Sequence, residues 1–191
     1  MRKTAFLFLL LSLLSINSLM AQTTIRDVLR TMPDSLVPYL SENNRLDMID
    51  FMASNMDAVV ANALGGKSQM LTLTDHYTSI RLSDASSLDM RLLDVPAPVD
   101  SVSQILCLVR TYGTDVRQST VRFYSLSWRQ LPTADYFSQP DDLFTATLSD
   151  QEPTITLRIE TPFDAWLKDE KEEIIKTSTT LKWDGCFVKK L

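Results

Sequence analysis

From Thr24 onward the apolar residues first recur with a helical period. Ile25, Val28, Leu29 and Met32 fall at i, i+3, i+4 and i+7, Thr24 can cap the run, and Pro33 stops it. A further turn or two comes next over 34–40. A longer amphipathic helix is predicted over 44–64, with Ile49, Met52, Ala53, Met56, Val59, Val60 and Ala63 as its apolar positions. Asp47, Asp50, Ser54 and Asp57 repeat on the opposite side, and Gly65-Gly66 supplies a left-handed stop.

Past Gly66 the period changes from 3.6 to 2. Leu71 and Leu73, then Ile80 and Leu82, then Leu88, Met90 and Leu92 alternate with polar residues in three short runs. Breaks this short force antiparallel neighbours, because a parallel crossover needs a dozen or more residues. The segment 94–100 (DVPAPVD) reads as a linker, and 105–111 and 116–125 as a hairpin about Gly113-Thr114-Asp115. The first of those strands is apolar on both faces and so central in its sheet. A turn of helix is expected near 141–146, a strand at 154–160, and an exposed sign-alternating run at 168–173. Asp184-Gly185 is a strong hairpin signal, expected to pair Trp183 with Cys186 and Leu181 with Val188.

The predicted fold is α+β, with N-terminal helices packed on an antiparallel meander sheet of about seven or eight strands. The chain of 191 residues is long enough for one real core, and no long repeat divides it. Its start changes the picture. Arg2 and Lys3, the apolar run from Ala5 to Leu14 and the small Ala21 match the plan of a secretory signal peptide. The apolar run is too short to span about 30 Å of hydrocarbon. The expected organisation is therefore a signal peptide at 1–21 and one α+β domain at 22–191, helical over 22–66 and β over 67–191. No later run reaches transmembrane length, so a periplasmic or cell-surface location is expected.

Charge and residue types then remove whole classes of chemistry. The formal charge is −5, and losing Arg2 and Lys3 with the leader makes it more negative. That argues against a nucleic-acid partner, which needs clustered Lys and Arg to release counterions. Four glycines leave little material for phosphate-cradling loops. His76 is the sole histidine, at a break between strands, and the G-x-S-x-G nucleophile elbow is missing. One histidine and two distant cysteines do not make a zinc site, and Asp141, Asp142, Asp150 and Glu152 lack calcium-loop spacing. No catalytic residue, metal ligand or cofactor is therefore assigned. Cys107 and Cys186 have no C-x-x-C partner. Export would permit them to pair, closing a loop worth on the order of 3–4.5 kcal/mol; two buried free thiols are the alternative.

Aromatic residues offer the best candidate for binding. Phe123, Tyr124, Trp128, Tyr136, Phe137 and Phe144 are interleaved with Arg122, Arg129 and Asp135. Strand alternation turns Phe123 and Tyr124 to opposite faces. Tyr124, Trp128, Tyr136 and Phe137 are the expected contact residues for a protein or glycan partner in the envelope, and closure of the core beneath a loop is the competing role.

Three stretches carry a resemblance: 32–52 (MPDSLVPYLSENNRLDMIDFM), 71–93 (LTLTDHYTSIRLSDASSLDMRLL) and 120–131 (TVRFYSLSWRQL). Together with the leader ending in Ala-Gln, they resemble an uncharacterised, domain-of-unknown-function family of exported Bacteroidales proteins. The resemblance covers most of the chain after the leader and implies a periplasmic or surface-associated protein, with no mechanism attached. The expected function is a non-catalytic binding or assembly module. Its rival is a carboxylate-dependent hydrolase acting on an envelope or dietary polymer, which requires two acids about 5–10 Å apart in a cleft. A purely structural subunit would instead show a broad apolar face without a pocket.

Overall fold

The computed structural model describes residues 23–159 and 177–187. The predicted signal peptide, the 168–173 run and Val188 of the expected C-terminal hairpin lie outside the described residues.

Two short helices open the fold. Helix α1 (Ile25–Arg30) starts with a capping box between Thr24 and Asp27, and α2 (Glu42–Ala53) with one between Ser41 and Asn44. A 3₁₀ turn (Asp34–Leu36) joins them. The predicted helix to residue 64 is too long. Asn55 enters the left-handed region at φ 54°, and the amides of Asn55 and Met56 bond back to the carbonyls of Met52 and Phe51. That Schellman arrangement ends the helix, since Asn tolerates the conformation that Gly usually supplies. Ala58 and Val60 are then buried, and Val59–Ala61 is strand β1. Gly65-Gly66 belongs to the β1–β2 turn, where the Asn62 side chain accepts from the amides of Leu64 and Gly66.

Seven strands form an unbroken antiparallel meander: β1, β2 (Lys67–Leu73), β3 (Tyr77–Ser83), β4 (Ser86–Val99), β5 (Val102–Tyr112), β6 (Gln118–Tyr124) and β7 (Gln130–Leu131). The expected linker is part of β4. Its prolines fall where pairing with β5 lapses between Asp94 and Val99, so no ladder hydrogen bond is lost to them. Asp100 and Ser101, both at positive φ, then turn the chain.

A second, three-stranded antiparallel sheet was not expected. It consists of β8 (Phe144–Leu148), β9 (Thr154–Ile159) and β10 (Thr177–Lys182) in the order β10-β9-β8. Residues 144–146 are strand where a helical turn was predicted. Among the described residues, Trp183 and Cys186 do not pair as strands about Asp184-Gly185 either. The chain continues past Gly185 so that Phe187 bridges Phe137 in parallel, which buries Trp183 and Phe187 in the core.

The main sheet is thereby covered on both faces. Ile80, Leu82, Leu88, Met90, Leu106 and Leu108 pack beneath the helices. Ile105, Cys107, Val109, Val121 and Phe123 pack beneath the second sheet. Period-2 alternation in β5 and β6 thus feeds two separate cores.

Candidate functional site

The three-stranded sheet packs β8 against β4, β5 and β6, and beside β8 a cleft opens between the two sheets. Its volume is about 470 Å³, within the range of small-molecule sites. The floor is built on directly opposed residues of β3 and β4, Ser79 with Asp89 and Arg81 with Ser87, and the pair Tyr77 and Arg91 continues the ladder outside the lining. A bulge in β2 between Met70 and Thr72 sets Leu71 beside them, exposed. Thr145 and Thr147 of β8 and Arg158 of β9 form the facing wall. Thr111 and Arg117, at either side of the β5–β6 turn, close one end.

Asp89 is the one carboxylate among the described lining residues. It is half-buried, and desolvation raises its pKa above the ordinary carboxylate range. Hydrogen bonds from Ser79 and Tyr77 and the charge of Arg117 oppose that shift. The buried Tyr77 phenol beneath it is pushed up to about 12, by burial first and by the Asp89 charge second.

The neighbouring polar groups brace the cleft. The Thr111 and Ser119 hydroxyls lie 2.7 Å apart, and Ser119 Oγ accepts from the Ala146 amide at 2.9 Å, tying β8 to β6. Arg91 donates to the carbonyls of Ser149 and Gln151 and anchors the β8–β9 turn to β4. Arg81 donates to Gln69 Oε1 at 2.6 Å. Arg117 and Arg158 make no ion pair among the described residues.

The four expected contact residues do not come together. Tyr124 is buried on the helix side of the sheet, with the Trp128 ring 5.7 Å away. Trp128 is half-buried and its indole N–H donates to Thr31 Oγ1. Tyr136 and Phe137 lie on the opposite side. Tyr136 packs against Phe123 and Trp183, and Phe137 is buried against Phe144. Cys107 and Cys186 are free thiols, the first fully buried in the core and the second half-buried with Sγ near Asp184. His76 is exposed in the β2–β3 turn, and Asp141, Asp142, Asp150 and Glu152 are exposed. Asp47 and Asp50 are exposed on α2, whereas Asp57 lies beyond its end. Among the described residues no three or more His, Cys, Asp or Glu gather as a metal group would require.

Sequence reasoning missed Asp89, Arg81, Arg117 and Arg158. The available signal was alternation: Ser79-x-Arg81 and Ser87-x-Asp89 fill the polar phase of two consecutive strands. That phase reads as solvent-facing until a second sheet is known to lie over part of it.

A family model described as "Protein of unknown function (DUF3256)" matches residues 16–183. No curated protein matches the chain. Among solved structures, a domain of an uncharacterized protein from Porphyromonas gingivalis W83, a Bacteroidales bacterium, is similar in fold, with a TM-score of 0.72 at 19% identity. The match covers 87% of this chain and 98% of that one, and at this identity it speaks to the fold alone. No described helix is long and apolar enough to cross a membrane.

Proposed function

The chain belongs to the DUF3256 family, and from that premise we propose that it is an exported, non-catalytic binding module of the cell envelope that takes a glycan in the cleft between its two sheets. The carrying observation is the Asp89 carboxyl on the cleft floor, held by the hydroxyls of Ser79 and Tyr77 and surrounded by further hydroxyl-bearing walls. A carboxylate so placed accepts from vicinal sugar hydroxyls, while Ser79, Ser87, Thr145 and Thr147 donate or accept in turn. The leader supports export. Asp89 is the one carboxylate among the described lining residues, which supports binding over two-acid hydrolysis, a reaction that needs a second acid across the scissile bond. The aromatic side chains Tyr124, Trp128, Tyr136 and Phe137 serve the two cores in this reading rather than the ligand.

Titration of the exported chain with a panel of neutral and acidic oligosaccharides tests it. Binding is expected for the wild type and is lost in Asp89→Ala with the melting temperature retained. Undiminished binding by Asp89→Ala removes the cleft from the reading, and release of new reducing ends replaces it with the hydrolase. Recovery of a mature N-terminus near Gln22 from the envelope fraction checks the export half.

A further inference from the structure

Three guanidinium groups converge on a cleft whose described lining has one carboxylate, in a chain whose overall charge is negative. Arg81 enters from β3, Arg117 from the end of the β5–β6 turn, and Arg158 from β9, so the three come from different parts of the two sheets. All three are exposed, and neither Arg117 nor Arg158 is neutralised by an ion pair among the described residues. The same cleft is rich in hydroxyls, while the apolar side chains among its described lining residues are Leu71, Ala146 and Ile159.

We propose that the ligand of this cleft is an acidic saccharide, its carboxylate groups held by Arg81, Arg117 and Arg158 and its hydroxyls by Asp89 and the Ser and Thr walls. The inference rests on the glycan-binding function proposed for the cleft and adds the ligand's charge. A planar carboxylate matches the guanidinium fork in two parallel hydrogen bonds, which a neutral sugar cannot offer. Asp89 would repel a carboxylate placed directly on it, so the anionic groups sit toward the arginine rim and a hydroxyl edge faces the floor. An acidic peptide fits less well, because alternate side chains of an extended peptide need apolar pockets that this lining does not provide.

Trigalacturonate, a neutral galactose trisaccharide and hexaglutamate serve as probes in calorimetric titrations of the exported chain at low and high salt. Trigalacturonate is expected to bind at least about tenfold more tightly than the neutral trisaccharide, with the difference shrinking as salt screens the rim. Arg117→Gln and Arg158→Gln should each weaken trigalacturonate severalfold and leave the neutral sugar unaffected. Both side chains are exposed, so unchanged melting temperatures are expected to accompany the loss. Equal binding of neutral and acidic trisaccharides, untouched by the arginine variants, overturns the charge assignment and leaves the glycan reading standing. Hexaglutamate binding as tightly as trigalacturonate overturns the saccharide assignment in favour of an acidic peptide. If neither sugar binds, the glycan reading itself fails.

Discussion

Arg45 shows what a single buried cation does in a small helical layer. It is 1% exposed, and its guanidinium donates to the carbonyls of Leu29, Met32 and Leu40 and to Asp34. Leu29 lies at the end of α1 and Met32 just beyond it, while Leu40 precedes the Ser41 cap of α2. One guanidinium thus ties the two helix ends together, and the Leu29 carbonyl also accepts from the Met32 amide. Arg45→Met removes the guanidinium donors from three carbonyls and should cost about 3–5 kcal/mol of unfolding free energy in urea titrations. Asp34 is mostly exposed, so Asp34→Asn should cost less than about 1 kcal/mol. Equal losses for the two variants would contradict the assignment. Asp89 makes the opposite case, because burial raises its pKa in the folded chain. Its protonated form is therefore favoured by folding. That contribution is fully present below the ordinary carboxylate range and is lost as pH rises through the raised folded value. Asp89→Asn, neutral throughout, should melt higher than wild type near about pH 7, with the gap closing toward about pH 3. Neither residue stands out in the sequence. Arg45 interrupts the apolar face of α2, four residues before Ile49 and seven before Met52, and Asp89 sits in the polar phase of a strand. Each acquires its role only from a neighbour far along the chain.

At the scale of elements, alternation was the legible signal and punctuation the ambiguous one. The meander from β2 to β6 arises from short breaks between period-2 runs, and the β5–β6 hairpin about Gly113 forms as the pattern predicts. Gly113 adopts φ +104°, and a Cβ there would lie 1.9 Å from the Val116 carbonyl oxygen. The turn cannot relax without moving Arg117, one residue further on. Gly113→Ala should therefore both destabilise the protein by about 2 kcal/mol or more and weaken any ligand held at the Arg117 end of the cleft. Equilibrium unfolding and binding, measured on the same variant, check the coupling. The end of α2 is misread when glycine is taken as its left-handed stop. Asn55 ends α2 ten residues before Gly65, and Trp128 turns the β6–β7 connection at φ 65°. A bulky side chain at positive φ is strained, so the usual order of truncations should invert. Trp128→Gly should be more stable than Trp128→Ala by about 1 kcal/mol, both having lost the tilted ring contact with Tyr124 and the bond to Thr31. A thermal melt in which the alanine variant is the more stable contradicts this account.

For the whole molecule, the decisive fact is that one meander sheet is covered on both faces by unlike layers. A helix pair lies on one side and a three-stranded sheet on the other. Sequence patterning foretold the first layer, because a helical period is distinct from the strand alternation after Gly66. It did not foretell the second, because β8, β9 and β10 are short runs with the same period as the main sheet, and nothing local says which sheet a strand joins. With both faces occupied, Tyr124 and Phe123 are each buried despite pointing opposite ways. The cleft is what remains where the smaller layer stops. Its width then depends on how β8 is fastened, and the polar fastening is Arg91 to the Ser149 and Gln151 carbonyls together with Ser119 to the Ala146 amide. Burial already lowers the Arg91 pKa, so its charge is held against a desolvation penalty that those two acceptors offset. Arg91→Ala removes the donors and leaves the carbonyls bare, an expected loss of about 2–4 kcal/mol. The loss should be local in character: amides of β8 and β9 should exchange hydrogen faster while β3 to β5 keep their protection. Uniformly faster exchange across both sheets would show instead that the two layers unfold as one unit, with the cleft a rigid feature of a single cooperative core.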